Sequence, residues 1–105
     1  MADRTLRWSP EGQEDFNEIL KFYRERNGNS DYGNKLAVQI KAALDNVVLF
    51  PYLGQKRGRS GFRYVIVYPF QVFYCITKTE IVVSAVWDSR RDPKALSKYL
   101  RRLNS

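Results

Sequence analysis

The sequence predicts a single α+β domain in which an N-terminal strand and a helical hairpin pack on a small antiparallel sheet, in the order β-α-α-β-β-β-α. Three observations carry this expectation. Apolar residues recur at helical spacing in the first half of the chain, and from Phe62 onward the period changes to two. Between the two regimes lies a segment bearing Pro and Gly with no period at all. A chain of 105 residues suits one hydrophobic core and is too short for two, so residues 1–105 are read as one domain.

Thr5-Leu6-Arg7-Trp8 reads as a short extended stretch, after which Ser9-Pro10 supplies a helix cap followed by proline in the first helical position. Phe16, Ile19, Leu20 and Tyr23 then form a helical stripe, with Asp15, Glu18, Lys21 and Arg24 expected to face elsewhere, and Asn27-Gly28-Asn29 supplies the stop. Ser30 or Asp31 can cap a second helix whose apolar stripe is Leu36, Ile40, Leu44, Val47 and Val48, ended by Pro51. The stretch from Pro51 to Gly61 reads as a basic loop. Phe62, Tyr64, Ile66 and Tyr68 alternate with Arg63, Val65 and Val67 in a first strand that breaks at Pro69-Phe70. Gln71 to Thr77 and Ile81 to Trp87 are further strands of a three-stranded meander, the middle one apolar on both faces and therefore central. Asp92-Pro93 repeats the cap-plus-proline signal, opening a last basic helix with Leu96, Tyr99, Leu100 and Leu103 on its stripe.

Charge is distributed unevenly. Residues 1–50 carry seven Lys/Arg against eight Asp/Glu, whereas residues 51–105 carry eleven against three, so the net charge of +7 belongs to the second half. Such a surface suits nucleic acid, the ribosome or an acidic protein. The chain has no His and a single Cys, which argues against a zinc site and removes the commonest general base at neutral pH. No cofactor and no metal are expected. Cys75 lies within strand alternation and reads as a buried small hydrophobe. No apolar run approaches the length of a membrane span, and the first residues lead into no signal-peptide core, so a cytoplasmic protein with no membrane partner is expected.

Trp8-Ser9-Pro10-Glu11, the Phe50-Pro51…Gly54 break, Phe62-Arg63 and the segment Val86-Trp87-Asp88-Ser89-Arg90-Arg91-Asp92-Pro93 together resemble the RelE/ParE superfamily, across roughly Leu6 to Leu100. The last segment is similar to the Val-x-His-x-Arg-Arg-Asp-Pro pattern of many such proteins. The resemblance implies the toxin of a type II toxin-antitoxin pair, neutralised by a cognate acidic antitoxin and reaching promoter DNA only through it. It implies two targets. ParE-like members inhibit DNA gyrase without cleaving nucleic acid, and RelE-like members cut mRNA on the ribosome.

On the endonuclease reading, Arg63 and Arg90 or Arg91 match the catalytic cations that stabilise charge building on phosphate. Two other positions depart from that pattern: Gln71 stands where cleaving members carry Arg, and Asp88 stands where many relatives carry His. Tyr99 falls on a helical stripe and reads as core, as do Trp8, Trp87, Phe73 and Tyr74, while an exposed Tyr64 or Tyr68 would offer a stacking platform. The leading expectation is therefore a ParE-like gyrase inhibitor whose target-binding residues are Lys56, Arg57, Arg59, Arg63, Arg90 and Arg91. The alternatives are the mRNA endonuclease and a degenerate member that only binds its antitoxin.

Overall fold

The computed structural model describes residues 3–104. Its first strand, β1 (Thr5–Trp8), pairs in parallel with the last, β5 (Glu80–Asp88), placing Thr5 opposite Glu80 and Trp8 opposite Val83. Between them in sequence come α1 (Pro10–Asn27), α2 (Asp31–Leu49), a single 3-10 turn at Pro51–Leu53, β2 (Gln55–Lys56), β3 (Arg63–Val67) and β4 (Phe70–Ile76). A last helix, α3 (Pro93–Leu103), closes the chain. The strand order is β1-β5-β4-β3-β2, a mixed five-stranded sheet in which the expected antiparallel meander is flanked by one parallel strand and one two-residue strand.

The caps form where the residue types place them. Ser9 Oγ accepts from the Gly12 N–H at 3.0 Å, and Asp92 Oδ1 accepts from the Lys94 N–H at 2.9 Å. Gly28 ends α1 at φ 74°, a left-handed conformation that costs glycine no Cβ clash. Phe70 pairs with Val67 and so opens β4, where a break was expected; the turn is confined to Tyr68 and Pro69.

The sheet buries both faces. Val65, Val67, Phe70, Val72, Val83 and Val86 meet Phe16 of α1 and Leu36, Ile40 and Leu44 of α2. On the other face Phe62, Phe73, Ala85 and Trp87 meet Leu96 and Leu100 of α3. The fully buried Val, Leu, Ile and Phe side chains among them each stabilise the fold by roughly 1.5–3 kcal/mol. β5 gains one residue against β4, since Phe73 pairs with Ala85 but Tyr74 with Val83; the extra Ser84 lets Val83 and Val86 point to the same face. No helix among the described residues is long and apolar enough to cross a membrane.

Candidate target-binding surface

Antiparallel pairing sets which cations share a face. Arg63 pairs with Tyr74 and follows Val65 and Val67 onto the helical-hairpin side of the sheet. There its guanidinium donates to the carbonyl of Gly54 at 2.8 Å and to that of Tyr52 at 3.4 Å, and lies 5.0 Å from the Tyr52 ring centroid. Tyr74 completes the knot: its hydroxyl donates to the Pro51 carbonyl at 2.8 Å and accepts from the Gly54 N–H at 2.9 Å, and burial raises its pKa. A Cβ on Gly54 would sit 2.4 Å from that hydroxyl, so the position admits only glycine without a shift. Lys56, directly opposite Arg63, shares this face and is exposed.

Arg90 and Arg91 diverge from each other and from Arg63. The Arg90 guanidinium grips the Asp88 carboxylate with two bonds, at 2.9 and 2.7 Å, and reaches the Tyr23 hydroxyl of α1 at 3.3 Å. Hydrogen bonds from Arg90 hold the Asp88 carboxyl below its ordinary range and keep the guanidinium firmly protonated. Arg91 instead lies over the Trp87 ring, 4.1 Å from its centroid, on the side of the sheet that α3 covers. Asp88 is level with Val67 across β4, four residues along and two strands over from Arg63, roughly 16 Å away. Arg63 thus stands apart, while Arg90 and Arg91 border a common recess of about 350 Å³ with Tyr23, Phe70 and Asp88.

The basic loop and α3 do meet. The Arg57 guanidinium donates to Ser97 Oγ at 3.1 Å, and the Asn104 amide donates to the Ser60 carbonyl, bonds that span 40 and 44 residues of sequence. An open depression of about 680 Å³ results, lined by Arg57, Arg59, Ser60, Ser97, Arg101 and Asn104 with Gly58 and Leu100. Arg57 and Arg91 also border a smaller recess of about 260 Å³ with Gln71, Trp87 and Ser89.

Asp15 was expected on the solvent side of α1, and the structure corrects this. β1 ends at Trp8, so the edge of β5 beyond Val83 lacks a strand partner, and Asp15 Oδ2 accepts from the Val86 N–H at 3.0 Å. The Tyr99 hydroxyl donates to the same carboxylate at 2.9 Å, tying α3 to α1. Burial pushes the Asp15 carboxyl up against the lowering effect of these bonds; burial, and then the Asp15 carboxylate, push the Tyr99 phenol well above its usual range. Tyr99 therefore holds its proton and is a poor base. The signal for this pair was present only in part, because stripe position placed Tyr99 inward while nothing local marked Asp15 as its acceptor.

Trp87, Phe73 and Tyr74 are buried, Trp8 is half-buried and stacks on Phe16 at 5.5 Å, and Tyr64 is half-buried, whereas Tyr68 is 77% exposed. Cys75 is half-buried, and burial raises its thiol pKa. Among the described residues no group of three His, Cys, Asp or Glu side chains is placed to hold a metal ion. What the site offers is a set of guanidinium and ammonium groups, some tied to protein acceptors and some facing solvent.

Residues 6–93 match the family described as the ParE toxin of the type II toxin-antitoxin system parDE. The chain belongs to the ParE toxin family. Among solved structures, a chromosomal ParDE toxin-antitoxin system from P. aeruginosa superposes with a TM-score of 0.66 at 18% identity, covering 80% of this chain and 94% of that one. The YoeB dimer from Staphylococcus aureus gives 0.56 at 16% identity, with 80% and 94% covered. YafQ from E. coli strain BL21(DE3) gives 0.51 at 19% identity, with 89% and 97% covered. At these identities the structures establish a shared fold. No curated protein sequence gives a significant match. The ParE family assignment makes this chain the toxin of a type II toxin-antitoxin pair, with a cognate antitoxin as its counterpart.

Proposed function

We propose that this ParE toxin arrests growth by binding DNA gyrase, without cleaving nucleic acid, through Arg57 and Arg59 of the loop and the adjoining basic side of α3. Arg91 adjoins that contact through the recess it shares with Arg57, whereas Lys56, Arg63 and Arg90 lie on the hairpin face of the sheet. The observation that carries the reading is that the cations an endonuclease would need are already engaged by other groups of the protein. Arg63 is bonded to backbone carbonyls, Arg90 to Asp88 and Tyr23, and Arg91 lies on Trp87. Cleavage through a 2′-OH also needs a group to accept a proton. Tyr99 is committed to Asp15, and Asp88 to Arg90. Binding a protein target makes no such demand, only exposed charge and a rigid mount.

One observation favours the second reading, a ribosome-dependent mRNA endonuclease. Arg57 and Arg91 border the same small recess as Ser89 and Gln71, so two cations could flank one phosphate there. Inducing the toxin without its antitoxin, and following methionine and thymidine incorporation in parallel over the first minutes, separates the two. Thymidine incorporation is expected to stop first. Earlier collapse of methionine incorporation overturns the gyrase reading and makes the recess the place to look for chemistry.

A further inference from the structure

We infer that the outward face of α2 and the turn that follows it dock an amphipathic helix of the cognate antitoxin, one with acidic residues on its flanks. This face is separate from the loop and α3 surface proposed above as the target contact.

Helix α2 is apolar on two sides. Leu36, Ile40, Leu44 and Val47 are buried in the core. Val38, Ala42 and Leu49 recur at helical spacing on the opposite side, where all three are exposed. Val38 is 69% exposed and Leu49 70%. At the end of this line come Phe50, then Tyr52 and Leu53 of the 3-10 turn, each more than half exposed. Together they present on the order of several hundred Å² of apolar surface, the extent at which exposure marks an interaction site rather than scattered residues. The turn is held in place by the Tyr74 hydroxyl, bonded to Pro51 and Gly54, and by Arg63, bonded to Tyr52 and Gly54, so this end of the surface is preformed.

An apolar line at helical spacing on an exposed helix fits a second helix laid along it, anchored by its own apolar stripe. Charge narrows whose helix that is. Helical geometry places Lys35 and Lys41 on either side of the line. Asp45, the carboxylate within it, is bonded to Lys41 at 3.0 Å. At the turn end, Arg63 lies over the Tyr52 ring with Lys56 opposite it in the sheet, and the chain from Asn46 to Thr79 contains no Asp or Glu. A second copy of this chain would bring another +7 and the same basic rim against this one, which like-charge repulsion opposes. The counterpart that the ParE family assignment supplies is the antitoxin. A helix apolar on one side and acidic on its flanks would meet both the line and its rim.

The test is calorimetric titration of the whole toxin with its purified cognate antitoxin, with growth arrest in cells as a second readout. Neither readout depends on which target the free toxin meets. Val38→Glu/Leu49→Glu should weaken antitoxin binding about 10-fold or more, and Val38→Gln/Leu49→Gln by less, with the melting temperature unchanged because both side chains are exposed. Without antitoxin both variants should arrest growth as wild type does, and an antitoxin level that silences wild type should fail to rescue cells carrying the Glu variant. Lys35→Glu should slow association at low salt. Phe22→Gln/Tyr68→Gln removes exposed apolar side chains from α1 and the β3–β4 turn and should leave antitoxin binding near wild type. Wild-type affinity in the Val38→Glu/Leu49→Glu protein, equal weakening by the two Gln variants, or faster association on Lys35→Glu overturns the inference. If affinity for the antitoxin is kept, loss of growth arrest by the Glu variant would make the target the occupant, and conversion of a self-associated toxin to monomer in gel filtration would make it a second copy.

Discussion

The two faces of the sheet use the same residue type for different ends. On the hairpin face, Arg63 and Arg90 commit part of their donors to protein: Arg63 holds the carbonyls of Tyr52 and Gly54, and Arg90 holds Asp88 and Tyr23. On the α3 face, Arg91 and Arg102 rest on rings, Arg57 makes one bond to Ser97, and Arg59 and Lys98 are exposed. A guanidinium that only stacks on a ring keeps all its in-plane donors available for another acceptor, whereas Arg63 and Arg90 already engage part of theirs on protein acceptors. An arginine's match to a family pattern therefore says little until its acceptors are known.

Substitutions on the two faces should separate stability from target contact. The largest stability loss is expected at Gly54→Ala, where the added Cβ meets the Tyr74 hydroxyl and strains the knot that Arg63 closes; about 3 kcal/mol by urea unfolding is expected, and a loss within ~0.5 kcal/mol would show that the knot yields easily. Next comes Arg63→Ala, which strips a donor from the Gly54 carbonyl and should cost about 1–2 kcal/mol while leaving gyrase inhibition by the folded protein near wild type. If inhibition falls while stability holds, Arg63 belongs to the contact surface after all.

A smaller effect bears on the role of Asp15. Its carboxyl is raised above the ordinary 3.8, so the folded protein binds that proton more tightly than the unfolded chain does. The contribution is favourable at low pH and is lost as pH rises from about 4 through the folded pKa. Asp15→Asn removes this titration, so its stability relative to wild type should improve as pH climbs from about 4 to 7, read from urea midpoints across that range. A constant offset would mean that Asp15 titrates normally. Smallest of all is Arg59→Glu, a surface change expected to alter stability by less than ~0.5 kcal/mol while weakening gyrase inhibition.

Much of the fold is legible in the residues because local signals agree with one another. Ser9-Pro10 and Asp92-Pro93 place two helix starts, Pro51 ends α2, and the change to a period of two marks β3 onward. Two features had no local signature. The parallel pairing of β1 with β5 joins segments some 75 residues apart, and a four-residue stretch does not encode its partner. β2 is two residues long inside a loop, too short for any period to register.

The site is less legible for a related reason. Alternation places Arg63 on a face, but the acceptors it finds there come from Tyr52 and Gly54, which only the tertiary fold delivers. Likewise the sequence groups Lys56 with Arg57 and Arg59, whereas β2 pairing turns Lys56 to the face of Arg63, and Arg57 reaches Ser97 on the other. Arg101 joins the loop cations through α3, a meeting that composition could suggest only as a basic second half.

The deciding measurement is the toxin concentration that halves supercoiling of relaxed plasmid by purified gyrase, compared between wild type and Arg57→Glu/Arg59→Glu at matched folded fraction. A rise of about 10-fold or more is the result expected if the α3-side cations make the contact. An unchanged concentration would contradict it and move the contact elsewhere on the toxin.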